Sequence, residues 1–159
     1  MRTIPYNRAL AVAYAERWAM SRNPDWYDFD GLGGDCTNFI SQCVYAGCGI
    51  MNETPETGWF FNSLSSRAPA WTGVQPFFRF MTENRGIGPF AQVVGLSEMR
   101  PGDVIQLGNQ SGRYYHSLLV LNPAPDIYIA THSYNALWRP LNSYSYARVR
   151  CLHIIGVRV

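Results

Sequence analysis

Gly33-Gly34-Asp35-Cys36-Thr37-Asn38-Phe39-Ile40-Ser41-Gln42 puts a cysteine directly behind a Gly-Gly-Asp turn and ahead of an apolar-periodic run. Asp35 reads as an N-cap, because a short side-chain acceptor there can satisfy unpaired amides of the first helical turn. Cys36–Ala46 then reads as a helix with Phe39, Ile40, Cys43 and Val44 on one face, ended by Gly47 and Gly49. A thiol in the first turn of a helix faces unpaired backbone N–H groups and the positive end of the helix dipole, both of which favour the nucleophilic thiolate. The two glycines would let another backbone approach the sulfur closely, and the Cys36 N–H could help hold a developing oxyanion. Asp35 opposes a thiolate by its charge. The same stretch also fits a buried, inert cysteine behind a glycine turn.

Working outward, Tyr6–Met20 has Ala9, Leu10, Ala13, Tyr14 and Trp18 at helical spacing, with Asn23-Pro24 as the stop. Residues 50–73 mix polar and aromatic residues with Pro55, Gly58 and Pro69 and read as a long surface excursion. Val74–Thr82 reads as a third helix, Pro76 being tolerated in its first turn. After the Pro101-Gly102 turn the chain changes character. A strand begins at Asp103–Leu107, and Tyr114–Leu121, Ile127–Ser133 and Arg148–Val159 are rich in β-branched and aromatic residues. Helices first and strands after is an α+β pattern with an antiparallel sheet. No linker or repeat divides the chain, which predicts one domain over 1–159.

Composition narrows the chemistry. The chain has 159 residues, 47% hydrophobic and 15% charged, with a formal net charge of +2. That is too apolar for a disordered segment and too weakly basic for a nucleic-acid footprint. All 13 basic residues are arginine, so a lysine Schiff base and a P-loop are excluded. No run of 18 apolar residues suggests a membrane span. Met1–Arg8 lacks an apolar signal core, which predicts either a cytoplasmic protein or a domain cut from a longer chain. Cys36, Cys43, Cys48 and Cys151 contain no CxxC pair.

The three histidines are His116, His132 and His153. Asn122-Pro123-Ala124-Pro125-Asp126 is a turn by composition. A hairpin centred on Ala124 pairs residues whose numbers sum to 248, which makes His116 and His132 direct cross-strand neighbours. One ring would act as general base and the other would orient it. A bulge in the turn would break this pairing. His153 and Cys43 read as structural. A zinc site from Cys36, His116 and His132 is possible on residue types, but the wide spacing gives it little support.

Taken together, Tyr6-Asn7-Arg8, Ala11-Val12-Ala13-Tyr14-Ala15, Asn23-Pro24, Gly34–Gln42, Met99–Ile105, His116–Val120 and Thr131-His132-Ser133 resemble, in order, the putative amidase domain family. The resemblance covers nearly the whole chain. It implies a papain-like α+β fold, related to NlpC-type and CHAP-type cell-wall hydrolases, with N-terminal helices packed on an antiparallel sheet. It further implies Cys36 as nucleophile, His116 as base and His132 as the third member, with Asn135 as the alternative. The expected activity is cysteine-dependent amide hydrolysis through a thioester, acting on a peptide or peptidoglycan-type substrate as a monomer, with no cofactor and no metal. The alternatives are a papain-like acyltransferase and a non-catalytic cell-wall or protein-binding module.

Overall fold

The structure is a computed structural model that describes all 159 residues. In chain order it contains β1 (Thr3–Ile4), α1 (Arg8–Trp18), α2 (Cys36–Cys48), β2 (Phe61–Ser63), β3 (Ser66–Arg67), α3 (Pro69–Thr72), α4 (Val74–Glu83), β4 (Gly88–Val94), β5 (Val104–Gly108), β6 (Tyr114–Asn122), β7 (Tyr128–Thr131), β8 (Ala136–Pro140) and β9 (Arg148–Arg158). Seven strands form one antiparallel sheet in the order β1-β9-β5-β6-β7-β8, with β4 on the other edge of β9. The α+β class with an antiparallel sheet is as the sequence predicts. No helix is long and apolar enough to cross a membrane.

The pleat of β6 sorts the interior into two halves. Leu119 and Leu121 join the larger core under α1, α2 and α4, with Phe39, Ile40, Trp59, Trp71 and Phe77. Leu118 and Val120 face the other way, into a smaller cluster with Ile105, Leu107, Ile129 and Leu141. Alternation at a period of two is what allows one strand to serve both.

α1 starts at Arg8 because the Asn7 side chain caps it, accepting from the Leu10 N–H at 3.1 Å. Its buried stripe is Ala11, Ala15 and Ala19, whereas Leu10, expected on the inner face, is 53% exposed. Just ahead of α1 the chain lies tight on α2: a Cβ on Gly47 would come within 2.5 Å of the Tyr6 ring and 2.8 Å of the Asn7 carbonyl oxygen, which leaves room only for glycine there. In α2 the expected inner face is the observed one, with Phe39, Ile40, Cys43 and Val44 all fully buried.

Residues 50–73 are not a surface excursion. Trp59, Ala68, Ala70 and Trp71 are buried. The polar residues of α2 explain how the indoles can be: Trp71 Nε1 donates to Asn38 Oδ1 at 3.0 Å, and Trp59 Nε1 donates to Ser41 Oγ at 3.0 Å. Ser41 Oγ in turn donates to the Trp71 carbonyl at 2.9 Å. Burying an indole without a partner for its N–H would cost much of what its area contributes.

β9 is anchored by a buried carboxylate. Asp103 accepts from Arg8 Nη1 (2.7 Å), from the Arg100 N–H (2.9 Å) and from the Ile154 N–H (3.0 Å), and its Oδ2 lies 2.9 Å from His153 Nδ1. His153 therefore belongs to a structural junction between β5, β9 and α1. Removing one partner of such a set leaves the others buried and unpaired. Asp103→Ala is expected to lower unfolding stability by about 3 kcal/mol, whereas Leu10→Ala on the exposed face of α1 should change it by no more than about 0.5 kcal/mol. Urea unfolding of the two variants beside the parent protein checks both.

Candidate active site

Cys36 occupies the first position of α2. Asp35 before it makes no side-chain cap bond, contrary to the N-cap expectation. Its carboxylate is fully buried and turned back into the protein. There it accepts from the Phe29 N–H at 2.8 Å and from Asn38 Nδ2 at 2.8 Å, and meets His132 Nδ1 at 2.5 Å. The Asp35 N–H donates to Ser133 Oγ at 3.0 Å. Gly33 and Gly34 have φ of +88° and +103°, a region costly for other residues. Their role is therefore to turn the chain into α2. No atom approaches Gly33 closely, so the expected tight backbone contact is not what they serve.

The first turn of α2 docks on β6 through side chains. Thr37 Oγ1 lies 3.0 Å from Ser117 Oγ, which also accepts from Gln106 Nε2 at 3.2 Å. This brings the Cys36 sulfur beside Ser117 and opens a cavity of about 500 Å³ that Cys36 and His116 line together with Ser133, Arg139 and Tyr144. No hydrogen bond joins the sulfur to the imidazole. A second cavity of about 500 Å³ leaves Cys36 on the other side, past Gln75, Arg113 and Tyr114.

Both groups rest uncharged at neutral pH. Burial pushes the Cys36 thiol above its ordinary value, and the Asp35 charge adds to this. Backbone N–H groups of Ser117 and Thr37 and the Thr37 hydroxyl pull the other way without reversing it. Burial, followed by the Arg139 charge, pushes His116 down to about 4. Elsewhere burial pushes Cys48 up to about 12 and Cys151 up to about 11, and it raises Cys43 well above the ordinary thiol value.

The hairpin register differs from the expected one. Leu119 faces Ala130 and Val120 faces Ile129, so paired numbers sum to 249, and an irregularity between Val120 and Asn122 shifts the pairing again toward the turn. A slip of one residue exchanges the faces of a strand. His116 therefore shares its face with Thr131, whose Oγ1 lies 3.5 Å from His116 Nε2. His132 points to the helices instead, stacked on Phe39 at a centroid distance of 3.9 Å. Its Nε2 meets the Trp18 carbonyl at 2.8 Å. The structure thus lines one cavity with Cys36 and His116 and joins Asp35 to His132, but does not bring His116 to His132. A single zinc sphere holding Cys36, His116 and His132 is excluded by the same geometry. Asn135 Oδ1 accepts from Arg22 Nη2 at 3.1 Å and does not reach His116. The sequence reading missed Thr131, Arg139 and Tyr144; only Thr131 had a signal, as a hydroxyl next to a candidate histidine.

The low His116 value has a consequence for stability. Between pH 6.5, the ordinary histidine value, and about 4, the unfolded chain holds a proton on this residue that the folded chain does not. Folding stability must therefore fall as pH drops through that window, by up to about 3 kcal/mol from this group, and level off below it. In His116→Asn that component should vanish. The difference between parent and variant in urea unfolding at pH 4, 5, 6 and 7 isolates it from the carboxylates.

Comparison with known proteins agrees with the layout of the chain. Residues 5–155 match the family model described as "Putative amidase domain". A curated relative is the "Uncharacterized protein YhbB" of Bacillus subtilis (strain 168), 33% identical over 123 residues. The match covers 76% of this chain, and the chain spans 38% of that protein's length. No solved structure matches. With residues 5–155 matched, from just ahead of α1 into β9, the chain belongs to the putative amidase domain family.

Proposed function

We propose that the protein is a cysteine amidohydrolase of papain-like type, kin to the NlpC-type and CHAP-type hydrolases, that cleaves an amide bond in a peptide of the peptidoglycan-stem class. The observation that carries the reading is that Cys36, at the N-terminus of α2, and His116, on β6, line one cavity. The family name supports amide hydrolysis in general.

In this mechanism the Cys36 sulfur attacks the amide carbon while neutral His116 takes the thiol proton. The tetrahedral oxyanion accepts a hydrogen bond from the Cys36 N–H, which no earlier turn of α2 satisfies. Collapse breaks the C–N bond as His116 returns the proton to the leaving nitrogen, giving free amine and a Cys36 thioester. His116 then takes a proton from water, whose oxygen attacks the thioester. The second collapse releases the carboxylic acid and restores the thiol. Thr131 Oγ1 donates to the Ser117 carbonyl at 2.8 Å and so offers a lone pair to His116 Nε2–H, leaving Nδ1 free to act as the base. His132 acts as a positioning residue through Asp35, not as a partner of the base.

Because thiol and imidazole rest neutral, alkylation of Cys36 by iodoacetamide should accelerate steadily from pH 7 to 10, without the acid plateau of a preformed thiolate–imidazolium pair. Peptide mapping should find Cys36 labelled before Cys43, Cys48 and Cys151; equal labelling of all four would sink the assignment. Cys36→Ser should abolish release of amine from peptide amides. His116→Ala should lower kcat by about 10²- to 10⁴-fold. Thr131→Val should cost less than His116→Ala, and His132→Ala, which acts through Asp35, should lower kcat less than Cys36→Ser does.

A further inference from the structure

The cavity behind His116 contains two donors that the hydrolytic steps leave unused. Arg139 has its Nε donating to Ser143 Oγ at 2.8 Å and its Nη2 to the Ser143 carbonyl at 3.3 Å, with the guanidinium carbon 3.6 Å above the Tyr144 ring. No carboxylate lies within salt-bridge distance of it, and Nη1 makes no protein hydrogen bond. Tyr144 Oη is buried and makes no hydrogen bond of good geometry, its polar neighbour being the Arg139 guanidinium. Its ring centroid is 6.0 Å from that of His116. No acidic side chain lines this cavity. An orphaned phenol and a half-used guanidinium, fixed beside each other, form a receptor for an anion with two acceptor oxygens.

The side of the site can be assigned from the proton path. The proton taken from Cys36 has to reach the leaving nitrogen, so the amine half of the substrate lies next to His116 and the acyl half extends into the cavity past Gln75 and Arg113. We propose that Arg139 and Tyr144 bind a carboxylate carried by the leaving-amine half, so that the preferred leaving group is an amino acid with its carboxylate free. The proposal rests on the cysteine-hydrolase reading above. A site built of donors discriminates strongly against a neutral isostere, because the donors are then left buried and unpaired.

Alkylating reagents test this without a known substrate. Two isosteric pairs, iodoacetate with iodoacetamide and 3-bromopropionate with 3-bromopropionamide, differ in charge and offer two reaches from the sulfur. At pH 8 the acid of at least one pair should label Cys36 about tenfold faster, relative to its amide, than it labels free cysteine. Arg139→Gln should abolish that preference and Arg139→Lys retain part of it. Tyr144→Phe should lower it about two- to threefold. Arg17→Gln, an equal charge loss on the exposed face of α1, should keep it. Thermal unfolding confirms that each variant is folded. The same acid preference in the parent and in Arg139→Gln, or none in the parent, overturns the carboxylate site while the thiol mechanism stands. A Cys36 inert to all four reagents overturns both.

Discussion

The carboxylate of Asp35 is the point on which the site depends. It is a fully buried carboxylate directly before Cys36, and it can exist there only because four groups of the chain face it. Phe29 reaches it from the loop just before α2, Asn38 from the next turn of the helix, His132 from the end of β7, and Arg22, at 3.4 Å, from the stretch that follows α1. Satisfying Asp35 therefore brings together the elements that surround Cys36. Its N–H, held by Ser133 Oγ, fixes the same residue from its other side. The Gly33-Gly34 turn follows from this. To bury the carboxylate and present the next side chain at the cavity, the chain must reverse abruptly, and two residues at positive φ allow it.

This arrangement gives the two histidines different work. His132 is held at both nitrogens, Nδ1 by the Asp35 carboxylate and Nε2 by the Trp18 carbonyl and Arg22 Nη1, while stacked on Phe39. A ring so constrained cannot shuttle protons to the cavity on the opposite face of the sheet. It locks the end of α1 to the start of α2. His116 has a single weak polar neighbour in Thr131 and an open side toward the cavity, as a proton carrier requires.

Much of this was legible in the residues and part was not, for physical reasons. The inner face of α2 follows from Phe39, Ile40, Cys43 and Val44 because large apolar residues at helical spacing have no other place to go. The stripe on α1 was misread because its buried positions are alanines, Ala11 and Ala15, which carry a weaker hydrophobic signal than the exposed Leu10. The burial of Trp59 and Trp71 was hidden because it depends on hydrogen-bond partners contributed by Ser41 and Asn38, polar residues inside a helix. β4 was missed behind its Gly88-Pro89 start, and β8 is short, with Trp138 at a φ of +54°. The hairpin shows the limit most sharply. Composition identified the turn and both strands, but one extra residue between Val120 and Asn122 put His132 on the opposite sheet face from His116. Period-two patterning alone cannot detect such a shift.

The charges of the cavity connect recognition with reactivity. Burial, with the Arg139 charge adding to it, lowers the proton affinity of His116, and burial, with a smaller part from Asp35, raises that of Cys36, so neither group is driven to ionise before substrate arrives. A carboxylate bound on Arg139 would cancel the charge that weakens the base. It would also exclude water and strengthen every remaining interaction in the cavity. His116 would then accept the thiol proton more readily in the complex than in the free protein. Binding energy from a group remote from the scissile bond would thereby be converted into a stronger base at the moment of attack, which is where it raises kcat. The cost of holding a thiol next to a buried carboxylate is then offset in the presence of the matching substrate, and an unoccupied site keeps its cysteine protonated.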